Sequence, residues 1–188
     1  MTSPSDQLLH AVTALLVESG FEGISVRRVA ARAGVSIGAV QHHFPTKDAM
    51  LAAAMELISE LFQAELRQRI PADATAEQAL RIVADELLGA EPEQRPASVL
   101  WLLRAARGAV HPATAKAHAD EWQQVEDLLD GLLRGCRPER GRRWAQQEAG
   151  ALLALVDGLA PALVLEPGRM PPERARALLT AHLDRLLG

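Results

Sequence analysis

An all-α fold of about nine helices is predicted by three features of this 188-residue chain. Ala, Leu and Arg, all strong helix formers, are abundant. No stretch alternates apolar and polar β-branched residues as a half-buried strand does. Pro and Gly recur at spacings that cut the chain into helix-length segments. With 48% apolar and 23% charged residues, the chain has the composition of a globular protein with a core rather than of a disordered one.

The first helix is expected over residues 4–19, with Leu8, Val12, Leu15 and Leu16 on one face and Gly20 as its stop. A second over 25–33 stops at Gly34, and a third over 36–44 ends before Pro45. A fourth over 46–70 precedes Pro71. Thr75 followed three residues later by Gln78 is a capping-box start for a fifth, ending near Gly89. Pro96 opens a sixth to about residue 108, and a long seventh covers 112–135. The eighth is expected over 138–160, where Pro161 should kink or end it, and the ninth over 171–187. These elements divide into an N-terminal three-helix unit, residues 1–47, and a C-terminal helical domain, residues 48–188.

Several function classes are disfavoured at once. One Cys excludes a disulfide scaffold or a Cys-rich zinc module and suits a reducing compartment. Residues 1–6 lack the basic start of a signal peptide. The longest apolar run, 151–165, is broken by Asp157 and Pro161 and is too short to cross a bilayer, so a cytoplasmic protein without a membrane partner is expected. No HExxH, GxSxG or P-loop pattern occurs, so neither an enzyme nor a cofactor is expected. The neighbouring His42 and His43 diverge on a helix, and His111 and His118 stand two turns apart; neither pair suits a shared metal.

The informative segment is residues 25–44. Two helices crossing steeply through a tight turn need a small residue where they touch, and Ala30 supplies it. The turn needs a residue tolerant of positive φ, and Gly34 supplies that. Val40 is spaced to pin the second helix on the first, and Ser25 and Ser36 are natural N-caps. This is the steric pattern of a helix-turn-helix. The formal charge of −4 seems to oppose nucleic-acid binding. Divided along the chain, however, residues 1–47 hold four basic side chains against three acidic ones, and no acid lies between Glu22 and Asp48.

Residues 33–47, reading AGVSIGAVQHHFPTK, resemble the signature of TetR-type transcriptional regulators. In that signature a recognition helix ends in His-Phe, here His43-Phe44, and a Lys opens the fourth helix. Residues 151–159 and 171–179 are similar to the last two helices of one large subgroup of the family. The resemblance implies a homodimeric, ligand-responsive regulator, expected to be a repressor, on double-stranded DNA with a palindromic operator. It places Ser36, Ile37, Gly38, Ala39, Gln41 and His42 against the major groove. Gln41 suits adenine, Ile37 or Ala39 a thymine methyl, Gly38 gives clearance, and Arg27 reaches a guanine or a phosphate. Ser25, His43 and Lys47 are assigned to phosphates. The family usually carries Tyr at one or both positions held here by Gln41 and His42, and this chain has no Tyr.

A small-molecule pocket is expected between the fourth and eighth helices. Its candidate lining is Met55, Phe62, Leu87, Leu100, Trp101, Arg104 and Trp122, with Leu103 and Trp144 as further candidates. Arg104 and Arg107, one turn apart, are read as partners of acids before partners of an anionic ligand. The dimer face is expected to use Leu152, Leu155, Val156 and Leu159 with Leu178, Leu179, Leu183 and Leu186, some of that apolar face covering the chain's own middle helices and the rest building a four-helix bundle with a second copy. Two other classes fit the same helices: a small-molecule carrier that does not bind DNA, and a protein-interaction adaptor.

Overall fold

The computed structural model describes residues 4–188; the reading of the extreme N-terminus as leader-free lies partly outside them. Among the described residues there are nine α-helices and no strand: α1 (Pro4–Ser19), α2 (Val26–Ala33), α3 (Ile37–His43), α4 (Lys47–Arg69), α5 (Ala76–Leu88), α6 (Arg95–Gly108), α7 (Pro112–Cys136), α8 (Arg142–Leu165) and α9 (Pro172–Leu187). Short 3-10 turns at Pro92–Gln94 and Pro138–Arg140 precede α6 and α8.

The caps explain most boundaries. Ser25, Ser36, Thr46 and Thr75 each accept a backbone N–H from the first turn of the following helix, and Thr75 with Gln78 completes the expected capping box. Gly34 and Gly89 end α2 and α5 in the left-handed region, at φ of 69° and 62°.

Two apolar cores form. In the first, Leu8, Val12, Leu16, Val29, Ala30 and Val40 of α1–α3 pack with Met50, Leu51, Ala54 and Met55 of α4 and with Leu100 of α6. Helix α4 is therefore shared by the two units instead of being divided from the first at residues 47 and 48. The second core joins α5, α7, α8 and α9 around Leu80, Leu129, Leu133, Leu152 and Leu183. Helix α6 bridges the two, packing on α1 and α4 on one side and on α7 and α8 on the other.

Of the two outcomes expected at Pro161, a kink or an end, the helix does not end there: α8 continues through it to Leu165. An interior Pro costs about 3 kcal/mol, because it cannot donate to the carbonyl four residues back, here that of Asp157. Leu159, Ala160, Ala162 and Leu163 on either side are all buried. Burial of leucines at about 1.5–3 kcal/mol each outweighs the lost bond. The start of α8 also differs, since residues 138–140 form a separate turn before Gly141.

Candidate DNA-reading surface and ligand cavity

Helices α2 and α3 meet as the sequence demands. Ala30 and Val40 are buried between them, and Gly34 makes the turn. Arg28 donates to the Gly23 carbonyl at 2.7 Å and to Ser19 Oγ at 3.2 Å, and Arg32 pairs with Glu18 at 2.7 Å. These two arginines thus fasten α2 to α1. Arg27, by contrast, is exposed and makes no hydrogen bond or ion pair among the described residues. Ser36, Ile37 (45% exposed), Gly38, Gln41, His42 and His43 form an open face on α3, whereas Ala39 is half-buried. A Cβ at Gly38 would meet only Ser36 Oγ, at 3.8 Å, so its space is free on the protein side. Ser25 and Ser36 use lone pairs for capping and keep their hydroxyl hydrogens. Lys47 donates to the Phe21 carbonyl at 2.9 Å, which leaves its ammonium two hydrogens to spare.

We propose that the two kinds of contact expected from the resemblance can be separated by substitution. Lys47→Ala should weaken binding to every DNA sequence and flatten the salt dependence by about one counterion per subunit. Arg27→Ala and Gln41→Ala should instead alter base preference. Salt-titrated gel shifts on specific and scrambled duplexes measure both; a sequence-selective effect of Lys47→Ala would contradict the assignment.

Between α4, α5, α6, α7 and α8 lies a cavity of about 350 Å³. Trp101 and Trp122 stack on its wall, with ring centroids 5.6 Å apart, and Phe62, Leu87 and Leu100 add apolar surface. Thr13 of α1 also reaches it. Its polar lining is acidic: Glu65, Glu86, Glu93, Glu121 and Asp157, against Arg104 as the single basic residue among the described lining. Glu86 is buried and paired with Arg69, and Glu121 with Arg104, which also donates to Ser59 Oγ at 2.6 Å. Asp157 differs. Both its oxygens accept the Trp122 indole N–H, at 3.1 Å, and burial pushes its pKa above the ordinary carboxylate value against the opposing effect of that bond. His118, whose ring centroid is 4.5 Å from that of Trp122, has its pKa lowered by burial and by Arg104. Trp101 Nε1 and Gln94 Nε2 are buried donors without a partner among the described residues.

Six of the seven expected pocket residues line this cavity. Met55 does not: it packs in the first core with Leu103 and lines a second cavity beside α4. Trp144 lies near the start of α8 under the Arg140 guanidinium, 5.4 Å from its ring. The acids were not anticipated as a group. Asp157 was visible as the charge interrupting the apolar run 151–165, but only packing shows that it faces a cavity.

The C-terminal leucines are divided differently from expectation. Leu152, Val156, Leu159, Leu179 and Leu183 are buried within the chain's own core, so they are not available to a second copy. Leu155 and Leu186 are half-buried against that core, and Leu178 is 43% exposed. The outward stripe of α8 is Ala151, Ala154, Leu155 and Gly158, and that of α9 is Ala177, Leu178 and Ala181. Helix α8 is long and apolar enough to cross a membrane by length and composition, yet it is packed among four other helices.

A model of the bacterial regulatory proteins of the tetR family matches residues 8–54, and a model of the BetI-type transcriptional repressor C-terminal domain matches residues 76–188. The chain belongs to the TetR family. It is thus a transcriptional regulator and not an enzyme. Among TetR-family and other regulators, the chain is 27% identical to the HTH-type transcriptional regulator PksA of Bacillus subtilis, over 96% of this chain and 88% of that one. It is 28% identical to the regulator BetI of Paraburkholderia phymatum, over 96% and 91%. A transcriptional regulator from Rhodococcus sp. Rha1 superposes with a TM-score of 0.85 at 35% identity, covering 99% of this chain and 96% of that one. A regulator from Saccharomonospora viridis, solved in complex with choline, has a TM-score of 0.87 at 18% identity, covering 96% and 95%. Against the usual TetR pattern, the recognition helix here carries Gln41 and His42 on its open face and no phenol.

Proposed function

We propose that this TetR-family chain is a cytoplasmic homodimeric repressor that holds a palindromic operator until a small organic cation enters its cavity. The observation that carries ligand response is the position of α6. Leu100, Trp101 and Arg104 wall the cavity, while Leu100 also completes the core of the reader. One turn on, Arg107 pairs with Asp48 in the first turn of α4 at 2.7 Å and stacks over Phe21 at 5.8 Å. A ligand that moves α6 therefore moves the base of the reader. Such a ligand releases DNA only to the extent that it binds the released state more tightly.

Asp157 argues for the charge of the ligand. Among the described residues its carboxylate has one hydrogen-bond donor, a neutral indole, in a cavity walled by stacked aromatic rings. A cation placed there gains both a charge partner and cation–π attraction. The choline found in the Saccharomonospora viridis neighbour agrees with that class. The free donors on Trp101 and Gln94 suit a ligand that also carries an acceptor oxygen.

The test is a titration of Trp fluorescence with choline and with its uncharged isostere 3,3-dimethylbutanol. Choline should bind and the isostere should not, and Asp157→Asn should weaken choline about 10-fold or more while leaving DNA affinity unchanged. Equal affinity for charged and neutral compounds would defeat the cation reading. Acidification should act in one direction. Asp157, with its raised pKa, loses its charge at a higher pH than an ordinary carboxylate, and protonation of His118 at lower pH adds a repelling charge. Choline affinity should therefore fall with pH, and the fall attributable to Asp157 should vanish in Asp157→Asn.

The second copy is expected on the small-residue stripes of α8 and α9. Ala151, Ala154 and Gly158 with Ala177 and Ala181 allow close helix approach around Leu155 and Leu178. A twofold four-helix bundle there would hold two readers at half-sites about 34 Å apart, one turn of DNA.

A further inference from the structure

The wall between α4, α6 and α7 separates two cavities. Besides the inner one, a second of about 480 Å³ opens beside α4, lined among others by Asp48, Glu56, Arg107, His111 and Asp120. Ser59, Arg104 and Glu121 line both. The partition is therefore an ion pair with a hydroxyl braced against it. Arg104 is paired with Glu121 and donates to Ser59 Oγ at 2.6 Å, and Ser59 Oγ donates to Glu121 at 3.0 Å. Both ionic side chains are largely buried, at 8% and 15% exposure.

A buried carboxylate cannot be left without a partner at small cost. A guanidinium already satisfies Glu121 at the edge of an otherwise acidic, aromatic cavity. In chemical class that guanidinium is what the cavity accepts. We propose that Arg104 is an internal stand-in for the ligand, holding Glu121 until an organic cation replaces it. This rests on the cation reading of the cavity. The exchange swaps one positive partner of Glu121 for another, so no buried charge is stranded at either end. The displaced guanidinium has a destination in the second cavity, where Glu56 of α4 offers a carboxylate and Asp120 of α7, already held by Lys116, adds a second negative charge. Its departure breaks the bond from α6 to Ser59 on α4 and leaves the Arg107–Asp48 pair as the ionic link between those helices among the described residues. Glu121 then shares the charge specificity of the site with Asp157, and Arg104 sets its threshold and its link to the reader.

The full-length protein is tested with tetraethylammonium as probe, by calorimetry, and with DNA flanking its own gene, by gel shift. Arg104→Gln removes the competing charge and should bind tetraethylammonium about 10-fold more tightly than the unsubstituted protein, while the probe no longer weakens DNA binding. Glu121→Gln should bind the probe about 10-fold or more weakly. The double variant Arg104→Gln/Glu121→Gln leaves neither charge unpaired, so it serves if the single variant fails to fold. It should bind the probe as poorly as Glu121→Gln. Equal or weaker binding by a folded Arg104→Gln protein, with normal binding by the unsubstituted one, overturns the exchange and leaves the cation cavity standing. Absence of binding to all four proteins overturns the cation reading and the exchange together.

Discussion

Gly158→Arg is expected to leave the protomer folded and to abolish operator binding. Gly158 lies on the exposed stripe of α8, and a Cβ built there meets no atom within 4 Å. In the isolated chain the long side chain extends into solvent, and replacing an interior helical Gly by Arg favours the helix by somewhat under about 1 kcal/mol. In the proposed dimer the same stripe faces its copy, and two arginines related by a twofold axis meet at the point of closest helix approach. Light scattering should report a monomer with full helical content. Losing the second reader removes the avidity that joins two half-sites, so operator affinity should fall by about 100-fold or more. A variant that stays dimeric, or a monomer that binds the operator undiminished, would refute the interface.

Leu152→Ala, six residues earlier on the same helix, is expected to act in the opposite way. Leu152 is fully buried, packed in the core with leucines of α5, α7 and α9. Truncation leaves a cavity and should cost about 2–5 kcal/mol of stability. Because the contacts are within the chain, the loss should be the same in the Gly158→Arg background, where no dimer forms. Urea unfolding of the four proteins of this cycle measures it. If Leu152 belonged to the interface, its effect would shrink toward zero in the monomer.

These two positions show how far the sequence could be read. The 3.6-residue period correctly marked α8 as a helix with an apolar face. It could not say which of two apolar faces turned inward, because Ala151, Ala154 and Gly158 add little hydrophobicity and Leu152, Val156 and Leu159 a great deal. The leucines went to the core, where burying large side chains yields most, and the small residues were left outside. Pro161 is a related case: local chemistry allowed a kink or an end, and the buried residues flanking it carry the helix past it. Met55 was assigned to the cavity from its place on the fourth helix, yet the unbranched side chain turns into the reader's core.

The helix-turn-helix was the most legible part, since its requirements are local. Ser25, Ala30, Gly34, Ser36 and Val40 each meet a steric or capping need set by residues a few positions away, and the structure places all five accordingly. The same holds for Thr75 and Gln78. By itself, then, the sequence determined the helices, the reader's turn and the open face of α3, including its Gln and His in place of Tyr. Tertiary structure alone decided the rest. It brought Glu121 of α7, Asp157 of α8 and Trp101 of α6 around one cavity, and set Arg104 against Ser59 across the wall. The reason is physical. Caps and turns depend on neighbours in sequence, whereas a cavity's charge depends on which faces of five separate helices are turned toward it, and no period in any one of them records that.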